Sequence, residues 1–265
     1  MTRFQKDTAI TRLGDGRFRA RLDGGWWIVR GPNGGYLTGI LVRAIQAEVN
    51  DPERLPRSLT IHFLAAASEG MVDLEVRIER LGGSLATVEA RILQEGRLIA
   101  VALGALSKAR PRFELKSARM PEVPPPEQIE RSERLIPISG RFDLRFLPET
   151  DSLSETGVPT LAGWIRLDET QALDYPLLGT YTDALPPALF SMLGDSSPIG
   201  MPTIDLTIHF HENLPRPQDK PDDYCLAIIR AGISHEGFIT EDAEIWSRDG
   251  QLLASARQLA AIVRA

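Results

Sequence analysis

Two polar residues in the second half of the chain stand where a carboxylate or an amide could act on a substrate. Asp183 precedes Ala184-Leu185-Pro186-Pro187, and prolines fit the first turn of a helix because the amide hydrogens that they lack have no intrahelical partner there. Asp183 is therefore predicted to cap a helix, and the same carboxylate could serve as a general base. Gln258 is the one polar side chain on a strand face otherwise made of Ala254, Ala256 and Ala260. It either hydrogen-bonds backbone or water, or points into a site.

A histidine pair marks a further candidate on a predicted strand at 203–211. With a period of two, one strand face is apolar and the other carries Thr203, Asp205, Thr207, His209 and His211. The two histidines and Asp205 could be metal ligands, but no further His or Cys cluster in the sequence completes a site. We therefore expect neither a metal nor a cofactor.

The sequence matches two glycine-rich enzyme motifs only in part. The segment Gly82-Gly83-Ser84-Leu85-Ala86 departs from the Gly-x-Ser-x-Gly nucleophile elbow at its last residue and lies between two predicted strands. Ser84 is accordingly interpreted as a turn residue. The spacing of a dinucleotide-binding loop is not matched by the glycines at 31, 34, 35 and 39.

The elements that must position these residues follow one order in both halves, which is a helix and then a series of strands. In the first half, a glycine-rich turn at 31–35 leads into a helix that runs to about Val49, and strands are predicted at 57–66, 72–80, 85–94 and 98–107. In the second half, we predict a strand at 161–168, a helix at 183–193, and strands at 203–211, 224–231, 240–247 and 252–262.

An internal repeat supports this division. Leu59-Thr60-Ile61-His62-Phe63 matches Leu206-Thr207-Ile208-His209-Phe210 at an offset of 147 residues, and Gly96-Arg97-Leu98-Ile99-Ala100 matches Gly250-Gln251-Leu252-Leu253-Ala254 at an offset of 154. The matches keep their order, which indicates a tandem duplication. We predict an N-terminal unit at 1–108, a Pro-rich linker at 109–135 and a C-terminal unit at 136–265, each an α+β unit whose antiparallel sheet curls around a helix.

Composition narrows the function and the location. The chain has 265 residues, 30 Lys and Arg against 36 Asp and Glu, and one cysteine, Cys225. The net charge of −6 and the lack of a basic run argue against nucleic-acid binding. A single cysteine needs no oxidising compartment, and no segment has the roughly 20 apolar residues that cross a bilayer. We expect a cytoplasmic protein without a membrane span.

Taken together, the motifs resemble those of the double-hotdog acyl-CoA thioesterases and are similar to bacterial acyl-CoA thioesterase II. The resemblance covers nearly the whole chain. It rests on Trp26 with 31–36, the two repeated strands, Thr182-Asp183, 203–211 and Ala254-Ser255-Ala256-Arg257-Gln258. It implies a tandem hotdog fold and hydrolysis of acyl-CoA thioesters to fatty acid and CoA, a reaction of lipid metabolism.

The resemblance also implies site residues. In that family an Asp at the start of the second hotdog helix, a Thr at the start of the next strand and a Gln on the final strand hold the attacking water, and these fall on Asp183, Thr203 and Gln258. By pseudo-symmetry, the start of the first-half helix, Gly34, Gly35 and Tyr36, is expected to contact the substrate, with a backbone amide stabilising the oxyanion. The family further implies a homo-oligomer.

Two alternatives to hydrolysis share the hotdog fold. Hotdog hydratases use an Asp and a His on one helix segment, and no His follows Asp183 within the next turns, which counts against that chemistry. A non-catalytic acyl-CoA binding or scaffolding protein of the same fold would keep the polar trio for structure alone, since a fold does not determine a function.

Overall fold

The structure is a computed structural model that describes residues 1–29, 31–110, 113–134, 136–148, 150, 153, 157–193 and 199–264. The first half contains α1 (Arg3–Asp7), β1 (Ile10–Gly14), β2 (Arg17–Leu22), α2 (Gly34–Val49), β3 (Leu55–Phe63), β4 (Gly70–Leu81), β5 (Leu85–Gln94) and β6 (Arg97–Ser107). The second half contains β7 (Phe142–Phe146), β8 (Thr160–Leu167), α3 (Tyr175–Tyr181), α4 (Phe190–Leu193), β9 (Ile199–Gly200), β10 (Thr203–Phe210), β11 (Cys225–His235), β12 (Phe238–Trp246), β13 (Leu252–Ala261) and β14 (Val263–Arg264).

One long antiparallel sheet joins the two halves. Within the described part of the chain its twelve strands follow the order β1-β2-β4-β5-β6-β3-β10-β13-β12-β11-β8-β7. The halves meet where β3 pairs with β10, the two strands that carry the repeated Leu-Thr-Ile-His-Phe. Thr60 lies opposite its repeat partner Thr207, and their hydroxyl oxygens are 3.1 Å apart. The duplicated strands therefore pair about a local twofold axis through these threonines.

The two long helices pack against each other in opposite directions on the inner face of the sheet. Near the start of α2, the hydroxyl of Thr180 donates to the carbonyl of Gly35 at 3.0 Å. Farther along α2, Arg43 forms an ion pair of 3.4 Å with Asp174, the N-cap of α3. The amino end of α2 consequently lies beside the carboxyl end of α3.

The helix predicted at 183–193 is wrong in position. The structure starts α3 at Tyr175 after the N-cap Asp174, whose carboxylate accepts from the Leu177 amide at 2.9 Å, and Pro176 occupies the first turn. The N-cap of this helix is therefore Asp174, nine residues before Asp183, which the prolines at 186–187 had indicated as the cap. Asp183 follows the carboxyl end of α3 instead of capping a helix, and only the short α4 forms near the predicted end. The elements α1, β1, β2 and β7 were also not predicted from the sequence.

The proline-rich segment before residue 130 lies against the outer face of the second-half sheet. Met120, Val123 and Ile129 pack on a second apolar cluster that includes Trp164, Leu226, Ile228 and Trp246. The indole nitrogen of Trp164 donates to the Pro124 carbonyl at 2.8 Å. On β11, neighbouring residues such as Ala227 and Ile229 face the main core instead. This part of the sheet is thus covered on both faces, while the exact division at 108 and 135 stays a prediction.

No helix among the described residues is long and apolar enough to span a membrane.

Either half expressed alone, as residues 1–108 or 136–265, should be insoluble or aggregated. Each would expose the unpaired edge of β3 or β10 and the helix face that now packs on the other half. Soluble yield, size-exclusion chromatography and thermal melting of the halves beside the full chain test this expectation. A monomeric half that melts cooperatively would show that the halves do not need each other's core.

Candidate active site

The carboxylate of Asp183 is held at the amino end of α2. Its Oδ2 accepts from the backbone N–H of Gly35 at 2.9 Å and from Nδ2 of Asn33 at 3.1 Å. Asn33 is the N-cap of α2, because its Oδ1 accepts from the Tyr36 amide at 3.1 Å, and its Nδ2 also donates to the Asp183 carbonyl at 2.7 Å. A helix N-terminus of the first half thus binds a carboxylate of the second half, as expected where free amides and the helix dipole favour negative charge.

The absence of side chains at Gly34 and Gly35 makes this contact possible. A Cβ on Gly34 would lie 2.9 Å from Oδ2 of Asp183. A Cβ on Gly35 would overlap the carbonyl oxygen of Thr180 and approach Oδ1 of Asn33 to 2.9 Å. These distances are shorter than van der Waals contact, so only glycine lets α2 approach the end of α3 this closely.

The pKa of Asp183 is raised to about 7, chiefly by burial and also by the negative charge of Glu241. Hydrogen bonds from Gly35, Gly34 and Asn33 act in the opposite direction, since they favour the ionised carboxylate. A carboxyl group that titrates near neutrality can exchange a proton during a reaction at physiological pH.

Thr203 and Gln258, two of the three residues that the resemblance implied, are in direct contact. The Thr203 hydroxyl donates to Oε1 of Gln258 at 3.1 Å. The predicted placement of Thr203 on the face of Asp205 and Thr207 is wrong, because the register of β10 against β13 shifts between Thr203 and Asp205. This irregularity turns Thr203 toward the inner face, where Gln258 lies opposite Leu206.

Glu241 connects these two groups of residues. It lies opposite Gln258 in the pairing of β12 with β13, and its Oε2 accepts from Nε2 of Gln258 at 2.7 Å. Its Oε1 accepts from the Ala188 amide at 2.6 Å, on the loop that begins with Asp183. Glu241 was not among the residues predicted from the sequence. A period of two along β12 would have singled it out, since its neighbours on that face are the buried Ile239, Ala243 and Ile245.

The side chain of Tyr36 is not available to a substrate, contrary to expectation. It is fully buried, stacks on Trp26 at a centroid distance of 5.1 Å, and donates its hydroxyl hydrogen to the Asp7 carbonyl at 2.6 Å. Tyr36 is therefore a core residue at the start of α2.

The histidine pair at 209 and 211 does not form a metal centre in the described parts of the chain. No group of three or more His, Cys, Asp or Glu side chains there could hold a metal ion. Nε2 of His211 instead lies 2.9 Å from the hydroxyl of Ser255 on the neighbouring strand.

Comparison with known proteins identifies the family. Residues 22–107 match the model of the acyl-CoA thioesterase N-terminal domain, and residues 117–262 match that of the acyl-CoA thioesterase C-terminal domain. The chain belongs to the acyl-CoA thioesterase family. The enzyme is thus a thioesterase, which supports hydrolysis over the non-catalytic alternative. A search of curated proteins finds no match.

Solved structures confirm the tandem hotdog fold of this thioesterase. A putative thioesterase II from Thermobifida fusca is 31% identical, with a TM-score of 0.85 and coverage of 100% of this chain and 98% of that chain. A conserved protein with a hotdog fold from Alicyclobacillus acidocaldarius is 25% identical, with a TM-score of 0.85 and coverage of 100% and 99%. An acyl-CoA thioesterase II from Mycobacterium marinum shares the fold at 18% identity, with a TM-score of 0.82 and coverage of 99% and 98%.

Replacing Gly35 by alanine should destabilise the thioesterase by about 1–3 kcal/mol through overpacking, although alanine has the better helix propensity. The added methyl group would meet the rigid backbone carbonyl of Thr180. The free energy of unfolding in urea measures the effect. Gly83→Ala is the matched control, because a Cβ there would have no heavy atom within 4 Å. A G35A variant as stable as wild type would contradict the close approach of the two helices.

Proposed function

We propose that this thioesterase hydrolyses acyl-CoA thioesters to a fatty acid and CoA, with a water molecule activated by Asp183, Thr203 and Gln258. The observation that carries the proposal is the carboxylate of Asp183 at the amino end of α2, with a pKa raised to about 7. The family match to both acyl-CoA thioesterase domains supports the substrate class.

In the proposed mechanism Asp183 is the general base. Its described side-chain hydrogen bonds reach Oδ2, so Oδ1 is the oxygen that we assign to the water. The water loses a proton to Asp183 as its oxygen attacks the thioester carbonyl. The tetrahedral intermediate then expels the CoA thiolate, which takes up the proton held by Asp183 to become the thiol, so that the carboxylate is regenerated. A thioester carbonyl is electrophilic enough for positioned water to attack without a covalent enzyme intermediate.

Thr203 and Gln258 orient the water in this proposal. The Thr203 hydroxyl hydrogen is used by Gln258, so its oxygen can accept a hydrogen from the water. Gln258 keeps one amide hydrogen beyond the one that it donates to Glu241.

For Gly34 and Gly35 we propose a binding role through the backbone. The Gly35 amide already donates to Asp183, so we assign these glycines to holding the base and to letting the thioester approach the helix. The positive end of the α2 dipole would then stabilise the oxyanion. Assembly into a homo-oligomer and a cytoplasmic location remain predictions from the sequence.

Asp183→Asn should lower turnover by roughly 10²-fold or more while the protein stays folded, because the amide cannot accept the proton. Release of free CoA thiol from short, medium and long acyl-CoAs measures turnover, and thermal melting verifies folding. Asp205→Asn, on the outer face of β10, is the control with the same chemical change. Near-wild-type hydrolysis by folded D183N would remove Asp183 from the mechanism.

The pH profile of kcat/KM should fall below a pKa of about 7, by up to tenfold per pH unit, because protonated Asp183 is no base. Stability should change in the opposite sense. The pKa in the folded chain exceeds the ordinary value of 3.8, so stability falls as the pH rises from about 4 through about 7, and D183N lacks this part of the slope. Kinetics and urea unfolding from pH 4 to 9 test both expectations. A flat rate profile through pH 7 would contradict the kinetic expectation. A free energy of unfolding that does not fall between about pH 4 and 7 would contradict the expectation on stability.

A further inference from the structure

A buried carboxylate that the proposed mechanism does not use lies next to its residues. Glu241 is 1% exposed, on a strand face whose other members belong to the apolar core. Burying a charge is strongly unfavourable unless hydrogen bonds compensate for the lost water. The described donors to Glu241 come from Gln258 and from the backbone at 188–189. Its partners therefore belong to the water-orienting pair and to the loop of the general base.

We propose that Glu241 is a positioning residue of the thioesterase: it fixes the amide orientation of Gln258, and thereby the hydroxyl of Thr203, relative to the Asp183 loop. This inference rests on the proposed function. Glu241 itself is assigned no contact with the substrate or the water.

The donor and acceptor atoms determine how the Gln258 amide is oriented in its contact with Glu241. A glutamine amide can present either its oxygen or its nitrogen to a neighbour. An ionised carboxylate only accepts, so Gln258 must turn Nε2 toward Glu241 and Oε1 toward Thr203. The Thr203 hydroxyl then has an acceptor for its hydrogen, and its oxygen is left to accept one from water. Without the carboxylate, the opposite amide orientation becomes accessible and would reverse these roles.

The second oxygen of Glu241 ties this arrangement to the base. Oε1 accepts from Ala188 at 2.6 Å, five residues beyond Asp183. One side chain thus connects β13 to the loop that follows α3. Because hydrogen bonds to a charged group are stronger than neutral ones, this connection restrains the distance between the base and the amide.

Glu241→Gln tests the inference, since glutamine keeps the volume of glutamate and removes its charge. We expect kcat to fall roughly 10- to 100-fold, as for loss of a charged hydrogen bond, while KM stays within about threefold of wild type. The control is Glu244→Gln on the same strand, whose carboxylate is partly exposed and forms an ion pair with Arg230 at 3.1 Å. E244Q should keep wild-type kcat. An unchanged kcat in folded E241Q would overturn the inference.

A double-mutant cycle separates positioning from general support of the fold. If Glu241 acts through Gln258, adding E241Q to a Gln258→Ala variant should lower kcat by less than about threefold further. Losses that multiply in full would show an independent role and overturn the inference. Should E241Q fail to fold, Glu241→Asp takes its place, since it keeps the charge but withdraws it by one methylene. Wild-type kcat in E241D would then be the contradicting result.

Asp183→Asn, assayed in the same series, distinguishes failure of the proposed function from failure of the role of Glu241. Lost turnover in D183N with full turnover in E241Q would refute only the role of Glu241. Retained turnover in D183N would remove the proposed base, and with it the site that Glu241 is inferred to serve.

Discussion

The contact between the Asp183 carboxylate and the amino end of α2 is the interaction on which the rest of the arrangement depends. It requires both halves, because the carboxylate comes from one and the helix from the other. It also requires α2 and α3 to run in opposite directions at close distance, which the glycines at 34 and 35 permit. Asn33 serves both partners, since one atom of its amide caps the helix and the other donates to Asp183. The helix start and the proposed base are thus positioned by the same side chain.

The duplication is preserved in the sheet but not in the chemistry. The register shift at Thr203 has a counterpart at Pro56 on β3, at the repeat offset of 147. Gln258 and Glu241 correspond to Gly104 and Val88, which pair with each other as their counterparts do. Among the described residues, none of these first-half positions carries a polar side chain. At the opposite end of the helix pair, the carboxylate of Asp174 forms an ion pair with Arg43. The irregular strand is therefore inherited from the repeat, whereas the polar constellation belongs to the second half.

Sequence patterns predicted the strands after each helix and the duplication of the two halves, because strand periodicity and repeats are local signals, whereas the polar trio came from the family resemblance and stays a prediction. Sequence patterns gave wrong or missing predictions where the position or orientation of a residue depends on tertiary structure. Asp174-Tyr175-Pro176 and Asp183 with its following prolines carry the same start signal for a helix, and the helix that forms is the first, which packs against α2. Thr203 was placed on the wrong face because a register shift cannot be deduced from one strand alone. The role of Glu241 depends on its register against Gln258, which only the folded sheet defines.

Two carboxylates near each other in a largely apolar interior are unfavourable for folding, and the proposed function gives their placement a chemical reason. The burial of Asp183 and the charge of Glu241 both raise the pKa of the proposed base toward neutrality. A carboxylate with its ordinary pKa would be ionised at neutral pH but would be a weak proton acceptor, whereas one that titrates near pH 7 combines the ionised form with useful basicity. The amides of α2 oppose the rise and keep a substantial ionised fraction. The pKa of Asp183 is therefore set by a balance between burial and the like charge of Glu241, which raise it, and the hydrogen bonds at the helix N-terminus of the other half, which lower it.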